Sequence, residues 1–272
     1  MSRLAISNIA WNPAQDEAVC ALMRKHGFSG LEIAPTKVFA EQPYSHIEEA
    51  AAWSLGLRET YGFCVPSMQS IWYGRTERLF GADDERRTLL AYTKSAIDFA
   101  AAVGCGNLVF GCPKNRAMPE VMDKDEKEAM IAEVAVPFFH EIGDYAAQRN
   151  TAIGMEANPK IYGTNFINTT SEAVAFVRRV DSAGLRLNLD VGTMIENGED
   201  CSTLRGNIPL ISHVHISEPF LRKIEKHELH RELLVFLAAE QYGGFVSMEM
   251  SLQESLQDIE DVMEYVRKIS AA

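Results

Sequence analysis

A chain of 272 residues with 47% hydrophobic content is long enough for one large α/β domain with a substantial core, and no apolar run in it approaches the roughly 20 residues that span a bilayer. A formal net charge of −12 repels phosphate backbones and anionic lipid, which speaks against nucleic acid and membrane as partners. Five cysteines, at 20, 64, 105, 112 and 201, form no CxxC pair and predict free thiols in a cytoplasmic protein, while the opening MSRLAISNIAWNP reads as a first strand and not a signal peptide.

In chain order, the predicted strands are LAISNI (4–9), GLEIA (30–34), CVPSMQ (64–69), NLVF (107–110), AIGMEA (152–157), LRLNLD (185–190), SHVHIS (212–217) and FVSMEM (245–250). Helical patterns fill the intervals at 13–26, 46–60, 83–103, 124–148, 170–182, 201–206, 226–241 and 254–270. Pro13 suits a first helical turn, Asp83 an N-cap, and Thr169 with Glu172 a capping box. The helices run into glycine before the next apolar run, as in KHGFSG, TYGF, AVGCG, SAGL and QYGGF, with Asn150 in that place in QRNTAIG. Both residue types supply a left-handed C-terminal cap.

Eight alternations of strand and helix predict parallel strands with helical crossovers, and the length matches the (β/α)₈ TIM barrel, usually about 250 residues. Eight parallel strands inside a ring of helices are therefore expected. An open doubly wound sheet is the alternative, but the glycine-rich phosphate turn after the first strand is missing. No linker or low-complexity segment interrupts residues 1–272, so a single domain is expected. The strand-to-helix connections are long after the third, fourth and fifth strands: SIWYGRTERLFGA, GCPKNRAMPEVM and NPKIYGTNFIN. In a barrel these loops stand at the C-terminal mouth, where active sites lie.

Side-chain parity then separates the two faces of the later strands. Glu156 and Asn158 oppose Ile153 and Met155; Asn188 and Asp190 oppose Leu187 and Leu189. His213 and His215 oppose Val214 and Ile216; Ser247 and Glu249 oppose Val246 and Met248. The aliphatic face suits the helical shell, leaving the polar face inside the barrel. At the mouth that face presents Glu156, Asp190, His215 and Glu249. Three carboxylates and one imidazole, with no lysine or arginine alternating among them, call for a divalent counter-charge. Mn²⁺ or Mg²⁺ suits this donor set, with Co²⁺ a further choice. A barrel whose polar mouth residues solvate one another is the bland alternative. His213 lies one layer below His215, where it either bonds a ligand carboxylate or is an ordinary core histidine; Asn188 shares that second layer.

The segments GMEANP, NLDVGT, HVHISEP and VSMEM around these four residues resemble the xylose-isomerase-like barrels of the sugar isomerase and epimerase type. The resemblance covers nearly the whole chain and is similar in kind to the ketose 3-epimerases. It implies that Glu156, Asp190, His215 and Glu249 ligate one divalent ion, often Mn²⁺, and that Glu156 and Glu249 are the acid/base pair. It also implies a homo-oligomer, dimers and tetramers being common in the family. Such a site fits proton transfer through an enediolate, since a cation beside a carbonyl and its neighbouring hydroxyl acidifies the intervening C–H. Two positions depart from the epimerase pattern: Thr193 stands where a substrate-binding histidine is frequent, and Leu221 where an arginine is, with Arg222 one step on. The DNA-repair branch of the superfamily needs several further histidines, and this chain has only seven. None lies at the tips of the third or fourth strand, which excludes the nuclease reading.

Weaker candidates for substrate contact are Glu32 and Gln69 by inward parity, Trp11 and Trp72 as aromatic covers, Lys114 and Arg116 as anion partners, and Glu218 and Arg222 after the seventh strand. Structural roles account for each about as well. His227 and His230 read as surface residues. The expected activity is a metal-dependent isomerase or epimerase of a ketose or related hydroxy-carbonyl compound. A dehydratase of the inosose or dehydroshikimate kind, or a non-catalytic sugar-binding barrel, are the alternatives.

Overall fold

Seven parallel strands carry the inward-facing residues in the computed structural model, which describes residues 3–120 and 123–271. They are β1 (Arg3–Ser7), β2 (Gly30–Glu32), β3 (Leu108–Phe110), β4 (Ile153–Glu156), β5 (Leu185–Asp190), β6 (Ile211–Ser217) and β7 (Phe245–Glu249). Their spatial order is β2-β1-β7-β6-β5-β4-β3. The expected third strand, 64–69, is not a regular strand. It makes isolated parallel bridges to both sheet edges, Gly30 with Cys64, Ile33 with Met68, and Met68 with Leu108. Leu31 N donates to Cys64 O and Gln69 N to Ile33 O, while Met68 N donates to Asn107 O on the other side. Pro66 has no N–H to give, so a continuous ladder cannot form there. The sheet thus has seven regular strands where eight were expected, with a proline-interrupted segment between its edges.

The principal helices are α1 (Asp16–His26), α2 (Ile47–Tyr61), α3 (Asp83–Val103), α4 (Lys124–Met130), α5 (Val136–Ala147), α6 (Thr170–Val180), α7 (Val191–Asn197), α8 (Glu228–Ala239) and α9 (Leu256–Ser270). The single helix expected at 124–148 is divided by a π-helical turn, Ile131–Ala135, because Pro137 cannot donate to the preceding turn. The helix expected at 201–206 is only a 3₁₀ turn, Cys201–Leu204. The true crossover helix, α7, starts immediately after β5, with Asp190 as its N-cap. Ala82, not Asp83, occupies the N-cap of α3, whereas Thr169 and Glu172 form the expected capping box. Gly27, Gly62 and Gly104 close their helices in the left-handed conformation. At SAG and QYGG the left-handed residues are instead Asp181 and Gln241. Val121 and Met122, at the end of the loop after β3, lie outside the described residues.

The outward faces of β4 to β7 are fully covered: Ile153, Met155, Leu187, Leu189, Val214, Ile216, Val246 and Met248 are all buried. Beside β3 an aromatic cluster of Trp72, Phe110, Phe138, Phe139 and Phe176 packs edge to face, burying large apolar area in a defined geometry. Parallel register raises the polar tips in steps, pairing Glu156 with Asn188, Asp190 with His215, and Ser217 with Glu249. One irregularity between Leu187 and Asn188 inserts Ser212 into β6. That insertion keeps His213 and His215 facing inward.

Two glycines test this packing in opposite directions. A Cβ on Gly184 would lie 1.9 Å from the Gly143 carbonyl oxygen and 2.8 Å from Ala147 N, both backbone atoms of α5. Gly184→Ala is expected to cost about 3 kcal/mol by overpacking. Gly56, inside α2, has nothing within 4 Å of its added Cβ, so Gly56→Ala should be neutral or stabilising by about 0.5–1 kcal/mol. Urea unfolding of the two variants measures both; equal midpoints would contradict the close approach of α5 to β5.

Candidate metal centre

Strand parity brings Glu156, Asp190, His215 and Glu249 together, with one ligand atom from each lying within 4.8 Å of every other. His215 Nδ1 is 3.2 Å from Glu156 Oε1 and 3.2 Å from Glu249 Oε2. Every carboxylate is oriented by neutral donors. Asn188 Nδ2 donates to Glu156 Oε1 at 2.8 Å and Asn158 Nδ2 to Glu156 Oε2 at 3.1 Å. Thr193 N donates to Asp190 Oδ1 at 2.6 Å and Ser217 Oγ to Asp190 Oδ2 at 2.5 Å. Gln69 Nε2 donates to Glu249 Oε1 at 2.8 Å. Gly111 makes room, since a Cβ there would sit 2.8 Å from Glu156 Oε2.

The charge state of the metal-free centre follows from this crowding. Burial, reinforced by Glu156, pushes Asp190 up to about 6. Burial also pushes Glu249 up to about 7, although His215 opposes it. Burial disfavours a charged His215, but Glu249, Glu32 and Glu156 outweigh it and hold the imidazole well above its usual range. Burial likewise works against ionised Glu32, yet His215 and His213 hold its carboxyl far below the ordinary value. The donor set has three carboxylates, one imidazole and no lysine or arginine in contact, so it fits a hard or borderline divalent ion.

Glu156, Asp190 and Glu249 line a cleft of about 230 Å³ together with Gln69, Ser70, Cys112, Pro113, Tyr162, Glu218 and Leu221, among others, while His215 is buried behind them. Two of the weaker sequence candidates, Gln69 and Glu218, therefore reach the cleft. Glu218 is 3% exposed; its Oε1 accepts from Glu225 N at 3.0 Å and lies 2.9 Å from His227 Nε2.

The others stand elsewhere. Trp11 is buried, donates to Asp16 Oδ1 and faces a separate cavity between α1 and α2. Trp72 donates to Thr93 Oγ1 inside the aromatic cluster. Arg116, expected as an anion partner, is 0% exposed and gives its guanidinium to the carbonyls of Phe110, Glu156 and Ile167. Lys114 and Arg222 are exposed and do not line the cleft. Glu32, expected as a substrate contact, is wholly buried and bonds His215 Nε2 at 2.9 Å. His213 Nε2 is 2.9 Å from the same Glu32 oxygen, so its carboxylate neighbour is Glu32 and none of Glu156, Asp190 and Glu249. His230 is a core residue bonded to Tyr265, correcting its expected place on the surface, and His227 is half-buried.

Three further residues at the site escaped the candidate list. Asn158 and Ser217 share the inward parity of Glu156 and His215, a signal that identified them in principle. Tyr162 lies in the loop after β4, and nothing in its neighbourhood marks it.

Residues 20–269 match the model of the xylose isomerase-like TIM barrel family, and the chain belongs to that family. Among solved structures, it is similar to the apo form of 3-keto-D-glucoside 4-epimerase from E. coli, with TM-score 0.77, 20% identity, and coverage of 98% of this chain and 100% of that one. D-psicose 3-epimerase from Clostridium cellulolyticum H10, solved with D-tagatose, gives TM-score 0.77 at 16% identity, covering 99% and 98%. AP endonuclease, family 2, from Brucella melitensis gives 0.73 at 19% identity, covering 96% of each chain. At these identities the likeness is one of fold. No curated protein matches the sequence. Among the described residues, no helix is long and apolar enough to cross a membrane.

The raised carboxyls set a sign for pH dependence. A folded chain that holds a proton already released by the unfolded chain loses stability as pH rises between the two pKa values. With Glu249 raised from 4.5 to about 7, the chelator-treated protein should melt progressively lower between pH 5 and pH 7. Glu249→Gln removes that group and should flatten the slope. Calorimetric scans across the range decide it, and an unchanged slope in the variant would contradict the crowding.

Proposed function

We propose that this chain is a divalent-metal-dependent sugar isomerase or epimerase that moves a proton through an enediolate of a ketose or related hydroxy-carbonyl compound. The convergence of Glu156, Asp190, His215 and Glu249, with the three carboxylates opening on one cleft, carries the reading. The fold shared with the two epimerases above supports it by analogy. Those four residues would hold the ion, which supplies Lewis-acid polarisation of a carbonyl and its adjacent hydroxyl when bound.

The chain's own groups do the proton transfer. Glu156 ends β4 and Glu249 ends β7, with β5 and β6 between them in the sheet. Two carboxylates that far apart along the rim reach a substrate from different directions. One removes the proton on carbon and the other returns it, to the opposite face in an epimerase or to the neighbouring carbon in an isomerase. Asn158, Asn188 and Gln69 orient the two bases without neutralising them. Tyr162 and Leu221 add an aromatic and an aliphatic surface to the cleft lining.

Dehydration starts from the same abstraction, and Glu218, 2.9 Å from His227 Nε2, lines the same cleft. A loss of 18 mass units from a polyol ketone would select that reading instead.

The test is a panel of free ketoses with Mn²⁺ in D₂O. Turnover should place solvent deuterium on the carbon that changes configuration or oxidation level, and chelator should abolish it. Glu156→Gln and Glu249→Gln should each lower kcat by roughly 10²–10⁴-fold. Absence of exchange across the panel, in protein shown to hold Mn²⁺, would favour a binding role.

Among the described residues the cleft lining includes Glu156, Asp190, Glu218 and Glu249 and no lysine or arginine. A phosphorylated ketose should therefore be turned over at least about 100-fold less efficiently than the free sugar, because like charge in a desolvated site costs several kcal/mol. Comparison of kcat/KM for a matched pair checks this.

A further inference from the structure

Below the mouth, Glu32 reaches across the barrel. It ends β2, is separated from β6 by β1 and β7 in the sheet, and still places Oε2 2.9 Å from both His215 Nε2 and His213 Nε2. Glu32 and His215 are 0% exposed and His213 is 1% exposed. The two imidazole rings stand nearly perpendicular, 5.3 Å apart at 87°. Among the described residues no lysine or arginine contacts the carboxylate; His215 Nε2 hydrogen-bonds it, and His213 Nε2 lies at ion-pair distance. A buried anion without such donors would be strongly unfavourable.

We propose that Glu32 is the positioning residue of the metal centre: by accepting the Nε2–H of His215 it fixes the ring so that Nδ1 is the nitrogen presented to the ion, with His213 packed against the same carboxylate. This rests on the metal reading above. The geometry has a chemical consequence. An imidazole donating from one nitrogen keeps the lone pair on the other, and a carboxylate acceptor makes that lone pair more basic. Nδ1 is the nitrogen that lies 3.2 Å from both Glu156 and Glu249. A ring turned over, or protonated only at Nδ1, offers the ion no lone pair. Among the described residues Glu32 Oε1, His213 Nε2 and Ser247 Oγ have no hydrogen-bond partner, so the hold of Glu32 on the pocket is the single bond from Oε2 to His215 Nε2.

The experiment uses full-length Glu32→Gln and Glu32→Leu with Mn²⁺ as the calorimetric probe. Glu32→Gln keeps the shape and an acceptor oxygen but removes the charge. Its Mn²⁺ affinity should fall about 10-fold, and that of Glu32→Leu by roughly 10–100-fold. Imidazole ¹⁵N spectra of the metal-free proteins supply a second readout. The wild type should show a protonated, hydrogen-bonded Nε2 on His215, and its signal should move in Glu32→Gln. A merely structural role lowers the melting temperature of both variants without moving either readout. If Glu32→Leu does not fold, Glu32→Gln carries the test alone.

Folded variants that bind Mn²⁺ as the wild type does overturn the role of Glu32 while leaving the metal reading intact. A wild type that binds none of Mn²⁺, Mg²⁺ or Co²⁺ overturns both. Glu32, His213 and His215 are themselves close enough to hold a cation, so two Mn²⁺ per chain would also overturn the positioning role.

Discussion

Three carboxylates and an imidazole share the mouth of one barrel with no basic side chain among them. Charges of one sign at that separation, away from water, repel strongly, and the surrounding structure manages that repulsion without removing it. Amide and hydroxyl groups from Asn158, Asn188, Ser217 and Gln69 orient the carboxylates. Neutral donors direct the oxygens and leave their charge available for a cation. Arg116 shows the same selection from the other side. It lies one loop away and could have quenched Glu156, yet it donates to the backbone carbonyl of Glu156 at 2.8 Å and to two further carbonyls. Burial lowers its pKa to about 10, so it stays charged at neutral pH. It ties the tips of β3 and β4 to the following loop and makes no bond to the Glu156 carboxylate.

Backbone geometry delivers these groups at one level. Asp190 is both the last residue of β5 and the N-cap of α7, and the cap bond from Thr193 N fixes one of its oxygens. Thr193 Oγ1 in turn donates to Ala157 O, joining β4 to α7. Thr193 is thereby committed to the scaffold. The irregular pairing of β5 with β6 at Ser212 matters equally. Slipping β6 by one residue would turn both histidines toward the helical shell.

The mouth was readable in the sequence because a strand has a strict period of two. Four successive strands alternated polar and aliphatic residues, and that alternation located Glu156, Asp190, His215 and Glu249 without any distance information. Two other kinds of feature were not readable. Pro66 interrupts a segment whose composition otherwise reads as strand, and the consequence depends on which edges flank it. Likewise Trp11, Trp72 and Arg116 are cleft candidates only from their position after strands. Position along the chain does not give side-chain direction in loops, where the period of two no longer applies. α7 was missed because its cap residue already had a role as a strand tip; D-V-G-T carries a valid N-cap signal, hidden by the strand before it.

The placement of Glu32 extends the site one layer deeper than the ligand set. A metal centre built only from strand tips would be held by side chains free to rotate about their own torsions. Each carboxylate here has its own amide, hydroxyl or backbone donors, but His215 sits between two charged layers, facing Glu156 and Glu249 on one side and Glu32 on the other. Strand pairing cannot provide that second partner, because the adjacent strands offer Asp190 and Ser247 at its level. Only a residue crossing the barrel interior can, and β2 supplies it from two strands beyond β6. Barrel closure and the orientation of one imidazole are in this way the same physical requirement: if β2 moved away from β6, His215 would lose the acceptor that fixes its ring before the mouth lost any of its own hydrogen bonds.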